Sequence, residues 1–286
     1  MPITAFLESN AKEYGDEVSL VEINPDLIDR DDLSWKEYSL VESAHVQGYR
    51  KTLTWREFDE RANRTANLLL ETGAGKGDKV AVLLMNCIEW LPVYFGILKA
   101  GAAVVPLNYR YTAEEIRYCL ELADVSVLLF GPEFAGRIDA VKGELAHLRA
   151  FFFIGEGRPA YARDYEAAIA ARSAEPPGVP LSDEEDAAIY YSSGTTGFPK
   201  AILHTHAGLV SACVTERTHH GQARNDIFLC IPPLYHTGAK MHWFGSLLSG
   251  GKAVLLRGTR PKWILDAISK ERVTIVWLLV PWAQDI

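Results

Sequence analysis

The stretch from Tyr190 to His206 constrains this chain more than any other part of the sequence. The apolar residues 187–191 predict a buried strand, and the apolar residues 201–203 predict a second one after Lys200. Small residues let a backbone curl so that its amides face an anion, hydroxyls add donors, and a lysine adds positive charge. Between the two strands lie four hydroxyl side chains and two glycines: Ser192, Ser193, Gly194, Thr195, Thr196 and Gly197. The pattern predicts a loop that holds a polyphosphate without the help of a helix dipole.

Two other interpretations of this loop are open. A Walker-type phosphate loop has glycine directly before its lysine and Ser or Thr directly after it. Pro199 and Ala201 occupy those positions here, which disfavours a P-loop kinase. The other alternative is a glycine-rich hairpin loop that binds nothing. The density of hydroxyls followed by Pro199 and Lys200 favours a phosphate ligand.

The residues from Ser192 to Lys200 resemble the signature loop of the adenylate-forming superfamily. This superfamily contains acyl-CoA synthetases, the adenylation domains of peptide synthetases, and luciferases. Two further stretches agree with it in order and spacing, residues 98–108 upstream and residues 233–238 downstream. The resemblance runs from about Leu53 to the end of the chain. Ala201 departs from it, because the family usually has glycine there, and this bears on backbone freedom at that position.

The resemblance implies a two-step reaction. A carboxylate attacks the α-phosphate of ATP, pyrophosphate leaves with magnesium, and the thiol of coenzyme A then takes the acyl group from the acyl-adenylate. The resemblance implies that Lys200 contacts the β- and γ-phosphates and that Ser192 is the hydroxyl linked to magnesium. The other nucleotide-binding positions that it implies are Ser193, Gly194, Thr195, Thr196, Gly197 and Thr237. Because a carboxylate is already a nucleophile, no Ser-His-Asp arrangement is required.

The resemblance also implies where the acid binds. It places His236 beside the acid and the α-phosphate, which makes Lys200 and His236 the candidate catalytic residues. Tyr235, His236 and Met241 are the candidate acid-binding residues, and the aromatic residues around them suggest an apolar acyl or aryl acid. A buried histidine at a strand end is the structural alternative for His236. Aromatic residues at helical spacing are also common in a protein core.

Histidines elsewhere do not predict a metal site. His204 and His206 share a face if they lie on a strand, and other histidines follow them in sequence. Their spacing matches no known ligand pattern, and neither cysteines nor carboxylates cluster with them.

Composition sets the class of protein. The chain has 286 residues, 48% of them hydrophobic and 23% charged, which suits a globular protein with a sizeable core. The net charge of −8 argues against nucleic acid or an anionic membrane as the main partner. Four separated cysteines predict reduced thiols and a cytoplasmic location, and no apolar run is long enough to predict a transmembrane segment. A homodimer is one assembly that the sequence allows.

The order of predicted elements gives the fold class. Apolar strands without alternation are separated by helices, which is typical of parallel sheets covered on both faces. Capping boxes at Thr54 and Glu57 and at Thr112 and Glu115 predict two helix starts, and Asn86 predicts a third. The prediction is an α/β fold with two successive, mostly parallel sheets, the second of them incomplete.

The predicted organisation has three parts: residues 1–52 with an insertion at 24–46, a first α/β subdomain at 53–185, and the phosphate loop with the start of a second subdomain at 186–286. By resemblance, the ribose-binding aspartate, a magnesium-binding acidic residue and a C-terminal lysine would follow Ile286. We therefore expect a fragment of a longer enzyme that is inactive by itself. The remaining alternatives are an adenylation domain that loads a carrier-protein thiol and a non-catalytic nucleotide-binding module.

Overall fold

The computed structural model describes residues 1–27, 48–192 and 198–286. Most of the predicted insertion at 24–46 lies outside these residues. In chain order the elements are α1 (Thr4–Glu13), β1 (Val18–Ile23), β2 (Arg50–Thr54), α2 (Trp55–Glu71), β3 (Lys79–Leu83), α3 (Trp90–Lys99), β4 (Ala103–Pro106), α4 (Ala113–Leu122), β5 (Val125–Phe130), α5 (Ala135–Val141), β6 (Ala150–Phe153), β7 (Arg163–Asp164), α6 (Tyr165–Ala170), β8 (Asp186–Ser192), β9 (Lys200–Thr205), α7 (His206–His220), β10 (Ile227–Cys230), α8 (Thr237–Ser249), β11 (Lys252–Leu256), α9 (Pro261–Glu271), β12 (Ile275–Val276) and α10 (Val280–Asp285).

Among the described residues the strands form two sheets. The first has the order β7-β6-β5-β3-β4-β8-β9, with parallel neighbours except for the antiparallel hairpin β8–β9. The second has the order β12-β10-β11-β1-β2, parallel except for β1–β2. The predicted fold class, an α/β protein with two mostly parallel sheets, is confirmed.

Sheet membership follows tertiary pairing rather than chain order. β1 and β2 belong to the second sheet, where Leu20 pairs with Ala253, and β8 and β9 belong to the first. Strands of each sheet therefore come from both sides of the predicted limits at residues 52 and 185, and those limits stay a prediction. β1 joins the second sheet by pairing with β11 more than 200 residues away, which no local pattern encodes, and β2 follows by pairing with β1.

Three apolar clusters give the molecule its layers. The largest lies between the sheets and includes helices α1, α2, α3, α7 and α8, with Phe58, Phe95 and Trp243 in mutual ring contact. A second covers the other face of the first sheet with α4 and α5, and a third covers the other face of the second sheet with α9. The central strands are buried on both faces, which explains their continuous apolar runs.

Local sequence signals predicted the starts of α2 and α4. Both capping boxes form, since Thr54 and Thr112 each accept a bond from the backbone three residues later and each return bond is present. Gly73 has a φ of +81° just after α2, as expected of a left-handed helix end. The glycine-rich segment 73–79 follows a helix and leads into a strand, which is the reverse of the order that a phosphate loop requires.

The sequence also predicts a helix over 133–145 and a strand over 273–279, and both are shorter in the structure. The helix expected over 133–145 is split into α5 and two short 3-10 turns, Pro132–Phe134 and Lys142–Glu144. Gly136 and Gly143 lie in this stretch, and glycine lowers helix stability. The strand expected over 273–279 is reduced to β12. Among the described residues, no helix combines the length and the apolarity that crossing a membrane requires.

Candidate active site

The hairpin β8–β9 brings two predicted phosphate-binding residues together. Ser192 and Lys200 are direct partners in the antiparallel register, at the end of the hairpin where the hydroxyl-rich loop begins and ends. The predicted positions Ser193 to Gly197 lie outside the described residues. The side chain of Lys200 is exposed, and none of the ion pairs among described residues involves it.

Two tyrosines fix the strand that leads into this loop. The Tyr190 hydroxyl shares a hydrogen bond of 2.9 Å with the Tyr94 hydroxyl of α3. The Tyr191 hydroxyl donates to the Cys119 carbonyl of α4 at 2.5 Å. Burial raises the pKa of both Tyr190 and Tyr191, so the two phenols stay protonated and keep these bonds. The end of β8 is thus held by a helix on each face of the sheet.

A second loop, between β10 and α8, carries the downstream motif. The structure corrects the predicted role of Asn86 here: α3 begins at Trp90 after Glu89, without a side-chain cap. Asn86 instead donates through Nδ2 to the Pro232 carbonyl at 3.0 Å, and its Oδ1 accepts from the Leu234 amide at 2.8 Å. Both polar atoms of the Asn86 side chain therefore bond to the loop between β10 and α8, and Asn86 does not cap α3.

His236 ends this loop and caps α8. Its Nδ1 accepts a hydrogen bond from the Gly238 amide at 3.2 Å, so the neutral ring carries its proton on Nε2. The side chain is exposed, which excludes the alternative of a buried histidine at a strand end. The Tyr235 ring contacts the Tyr109 ring edge-on with centroids 5.3 Å apart. Burial raises the pKa of Tyr235 to about 12, so its phenol is neutral.

Two cavities meet at Tyr235 and His236. We call the first the loop cavity. It measures about 440 Å³, and its lining includes Ser192, Pro199, Tyr235, His236 and Thr237. We call the second the aromatic cavity. It measures about 360 Å³, and its lining includes Asn86, Tyr109, Tyr235, His236, Trp277 and Trp282. The loop cavity opens toward the hairpin and the aromatic cavity toward the carboxyl ends of β10, β11 and β12.

The predicted residues separate into three groups. Ser192, Tyr235, His236 and Thr237 line the loop cavity, and Lys200 lies opposite Ser192 on the hairpin. Met241 lies on α8, but its side chain is outside the described part of the structure. The third group is Ser193 to Gly197, which is also outside the described residues.

Sequence reasoning missed several residues that line the loop cavity. Glu115 was interpreted only as part of a capping box, and Tyr111 was not considered. Asn108 belongs to a stretch that carried the family resemblance, and Tyr190 and Tyr191 end the predicted strand that leads into the loop. Those two positions were the signals that could have found them. Glu115 has no such signal, because the same residue also fulfils a local role.

His204 and His206 do not share a site. His204 lines the loop cavity, whereas His206 is the first residue of α7 and is 1% exposed. Among residues 1–27, 48–192 and 198–286, no group of three or more histidine, cysteine or carboxylate side chains is arranged to hold a metal ion. A third cavity, of about 380 Å³, lies near Glu22 and Lys51 and contains none of the predicted residues.

Comparisons with known proteins identify the family. The family model described as AMP-binding enzyme matches residues 33–286. Feruloyl-CoA synthase from Amycolatopsis sp is 32% identical over 249 residues, which cover 85% of this chain and 48% of the relative. A long-chain-fatty-acid–CoA ligase from Thermus thermophilus is also 32% identical over 249 residues, covering 84% and 45%. The chain therefore spans about half the length of these curated relatives.

A solved structure has the same fold. The inhibitor-bound N-terminal domain of FACL13 from Mycobacterium tuberculosis superimposes with a TM-score of 0.83 at 23% identity, covering 99% of this chain and 64% of that one.

Proposed function

The chain belongs to the AMP-binding enzyme family, and from this premise we propose that the whole protein is an AMP-forming acid–CoA ligase. Its first step joins a carboxylate oxygen of the acid to the α-phosphorus of ATP and releases pyrophosphate. Its second step joins the sulfur of coenzyme A to the acyl carbon and releases AMP. The nucleophile of the first step is already anionic, so the protein's task is to hold and neutralise charge.

The observation that supports this proposal is the meeting of the two cavities at Tyr235 and His236. The loop cavity presents hydroxyls beside the hairpin and suits the phosphates of ATP. The aromatic cavity suits the body of the acid. In this arrangement the carboxylate and the α-phosphate meet at His236, whose Nε2–H can donate to an oxygen of either group.

The hairpin supplies the charge for the phosphates. We propose that Lys200 contacts the β- and γ-phosphates and that Thr237 and the loop 193–197 add donors. Ser192 would be the protein ligand of the magnesium that accompanies ATP, an ion that in such sites is held largely by phosphate oxygens and water. Bound there, magnesium would neutralise charge on the departing pyrophosphate.

The aromatic cavity suggests the class of acid. Tyr109, Trp277 and Trp282 line it, and aromatic side chains bury apolar or aryl groups well. Relatives named for feruloyl and long-chain acyl groups fit the same range. We therefore propose an aryl or apolar acyl acid, with Tyr235 and His236 at its reacting end. Met241 on α8 stays a predicted contact of the acid.

Coenzyme A is proposed as the acceptor over a carrier-protein thiol because both relatives compared above are CoA-dependent by name. The alternative is a non-catalytic nucleotide-binding module, and acid-dependent pyrophosphate release by the whole protein would exclude it. A cytoplasmic location and a homodimer stay predictions.

The test of the proposal is Lys200→Ala in the whole protein. Removing one preorganised charge contact should raise the barrier of acyl-adenylate formation by roughly 2–4 kcal/mol. Transfer of the acyl group from a supplied acyl-adenylate to coenzyme A should change much less. The two half-reactions are measured as acid-dependent pyrophosphate release and as acyl-CoA formation.

Lys12→Ala is the matched control, because Lys12 is also exposed but lies on α1 away from both cavities. Equal losses in both half-reactions for Lys200→Ala would remove its phosphate role. Absence of acid-dependent pyrophosphate release in the parent protein, over a panel of aryl and alkyl acids, would overturn the proposed reaction.

A further inference from the structure

The loop from β10 to α8 cannot satisfy its own backbone. Pro232 and Pro233 have no amide hydrogen, so this loop has fewer donors than an ordinary loop. The Pro233 carbonyl accepts from the His236 amide at 2.9 Å, which closes a turn. The Pro232 carbonyl and the Leu234 amide have no such partner within the loop. Leu234 is 1% exposed, so leaving its amide unpaired would be costly.

Asn86 supplies both missing partners. It follows β3 of the first sheet and reaches the loop across 146 residues of sequence. Its side-chain amide has the donor and the acceptor of a peptide group, and both are used: Nδ2 to the Pro232 carbonyl at 3.0 Å and Oδ1 from the Leu234 amide at 2.8 Å. Asn86 is 7% exposed, so solvent competes little for these bonds.

This bridge lies directly before the two residues that the cavities share. The loop enters Tyr235 and His236 immediately after Leu234, and the next bond, from the Gly238 amide to His236 Nδ1, depends on where the loop ends. Asn86 also lines the aromatic cavity beside both residues. A side chain of the first sheet thus fixes the position of a loop of the second sheet.

We propose that Asn86 is a positioning residue that sets the placement of Tyr235 and His236 and holds the His236 ring in the tautomer with its proton on Nε2. Asn86 acts through the loop backbone. Its effect on the placement of His236 rests on the hydrogen bonds alone, whereas its importance for acyl-adenylate formation rests on the proposed function.

The experiment is nuclear magnetic resonance of the ring nitrogens in protein labelled with ¹⁵N-histidine, recorded near pH 8 without ligand. The His236 signals are assigned by their disappearance in His236→Gln. In the parent protein, Nδ1 should resonate as an acceptor nitrogen and Nε2 as a protonated one. In Asn86→Ala, both His236 signals should move toward the average of the two tautomers.

Asn10→Ala is the matched control. Asn10 is also 7% exposed, and its Nδ2 donates to the Leu247 carbonyl at 2.7 Å, but it lies on α1 and lines neither cavity. The variant Asn10→Ala should be less stable to urea than the parent, as Asn86→Ala is, but its His236 signals should not move. His236 signals that are equally unchanged in both variants would overturn the proposal, as would an equal shift in both.

If Asn86→Ala does not fold, Asn86→Asp decides, because it keeps an acceptor for the Leu234 amide and places a carboxylate oxygen, which cannot donate, against the Pro232 carbonyl. A partial shift of the His236 signals is expected, and unchanged signals overturn the proposal.

In the whole protein, Asn86→Ala should lower kcat of pyrophosphate release while KM for ATP stays nearly constant. Since the spectra need no turnover, an inactive parent protein would count against the proposed function and leave the positioning test intact.

Discussion

His206 shows how a single side chain can make the protein sensitive to pH. Its ring is buried at the start of α7, and Nδ1 makes no hydrogen bond with the described residues. Burial lowers the pKa of His206 to about 4 from its ordinary 6.5, although the nearby carboxylates Glu185 and Asp183 oppose this shift. The unfolded chain therefore takes up a proton at a pH where the folded chain does not.

The sign of the effect follows from this difference. The contribution of neutral His206 to the free energy of unfolding has its full value above pH 6.5 and is lost as the pH falls toward 4. The loss amounts to about 3 kcal/mol, since one pKa unit corresponds to about 1.4 kcal/mol. We expect the stability of the parent protein to fall relative to that of His206→Gln over this range, measured by urea unfolding at a series of pH values.

His147→Gln is the control for this prediction, because His147 is an exposed histidine. The free energy of unfolding of His147→Gln should differ from that of the parent by the same amount at every pH. A constant difference between the parent and His206→Gln from pH 7.5 to pH 4 would show that His206 is not the titrating group.

At the scale of elements, α2 and α3 approach each other through Gly96. A Cβ atom at Gly96 would lie 2.4 Å from Cβ of Thr65 and 2.9 Å from the Ala62 carbonyl oxygen. Gly96→Ala should therefore force the helices apart and cost roughly 1–3 kcal/mol, partly offset by about 1 kcal/mol from alanine's better helix propensity. The measurement is the urea midpoint at unchanged m-value.

Gly136→Ala is the matched substitution on α5, where an added Cβ would meet no atom within 4 Å. It should leave stability unchanged or raise it by up to about 1 kcal/mol. Equal effects of the two substitutions would mean that the close approach of α2 and α3 does not limit residue size at Gly96.

At the scale of the whole molecule, the two cavities meet at an exposed His236. Stabilisation of transferred charge requires several groups fixed in a site that excludes water, where electrostatic interactions are strong. The chain spans about half the length of its curated relatives. We therefore expect residues 1–286 alone to bind ATP or pyrophosphate weakly and to release no pyrophosphate.

This expectation is checked with ATP, magnesium, coenzyme A and a panel of carboxylic acids. The whole protein, assayed in parallel, shows that the reagents are competent. Acid-dependent pyrophosphate release by residues 1–286 alone would require the residue roles proposed above to be withdrawn.

The sequence by itself determined the elements whose signals are local. The capping boxes at Thr54 and Thr112, the glycine after α2 and the strand-loop-strand pattern around Lys200 each involve residues a few positions apart. Such patterns act through hydrogen bonds and side-chain periodicity that are complete within one element. The alternation of apolar strands and helices indicated two parallel sheets for the same reason.

Only the tertiary structure decided which distant residues meet. Asparagine is a common helix N-cap, yet the side-chain amide of Asn86 bonds to a loop 146 residues away, where the Pro232 carbonyl and the Leu234 amide have no partner within the loop. β1 joins the second sheet because its buried faces pack there, and Tyr235 and His236 lie between two cavities because both sheets end at that point. Contacts of this kind depend on which apolar faces pack together, and no spacing within the sequence records that choice.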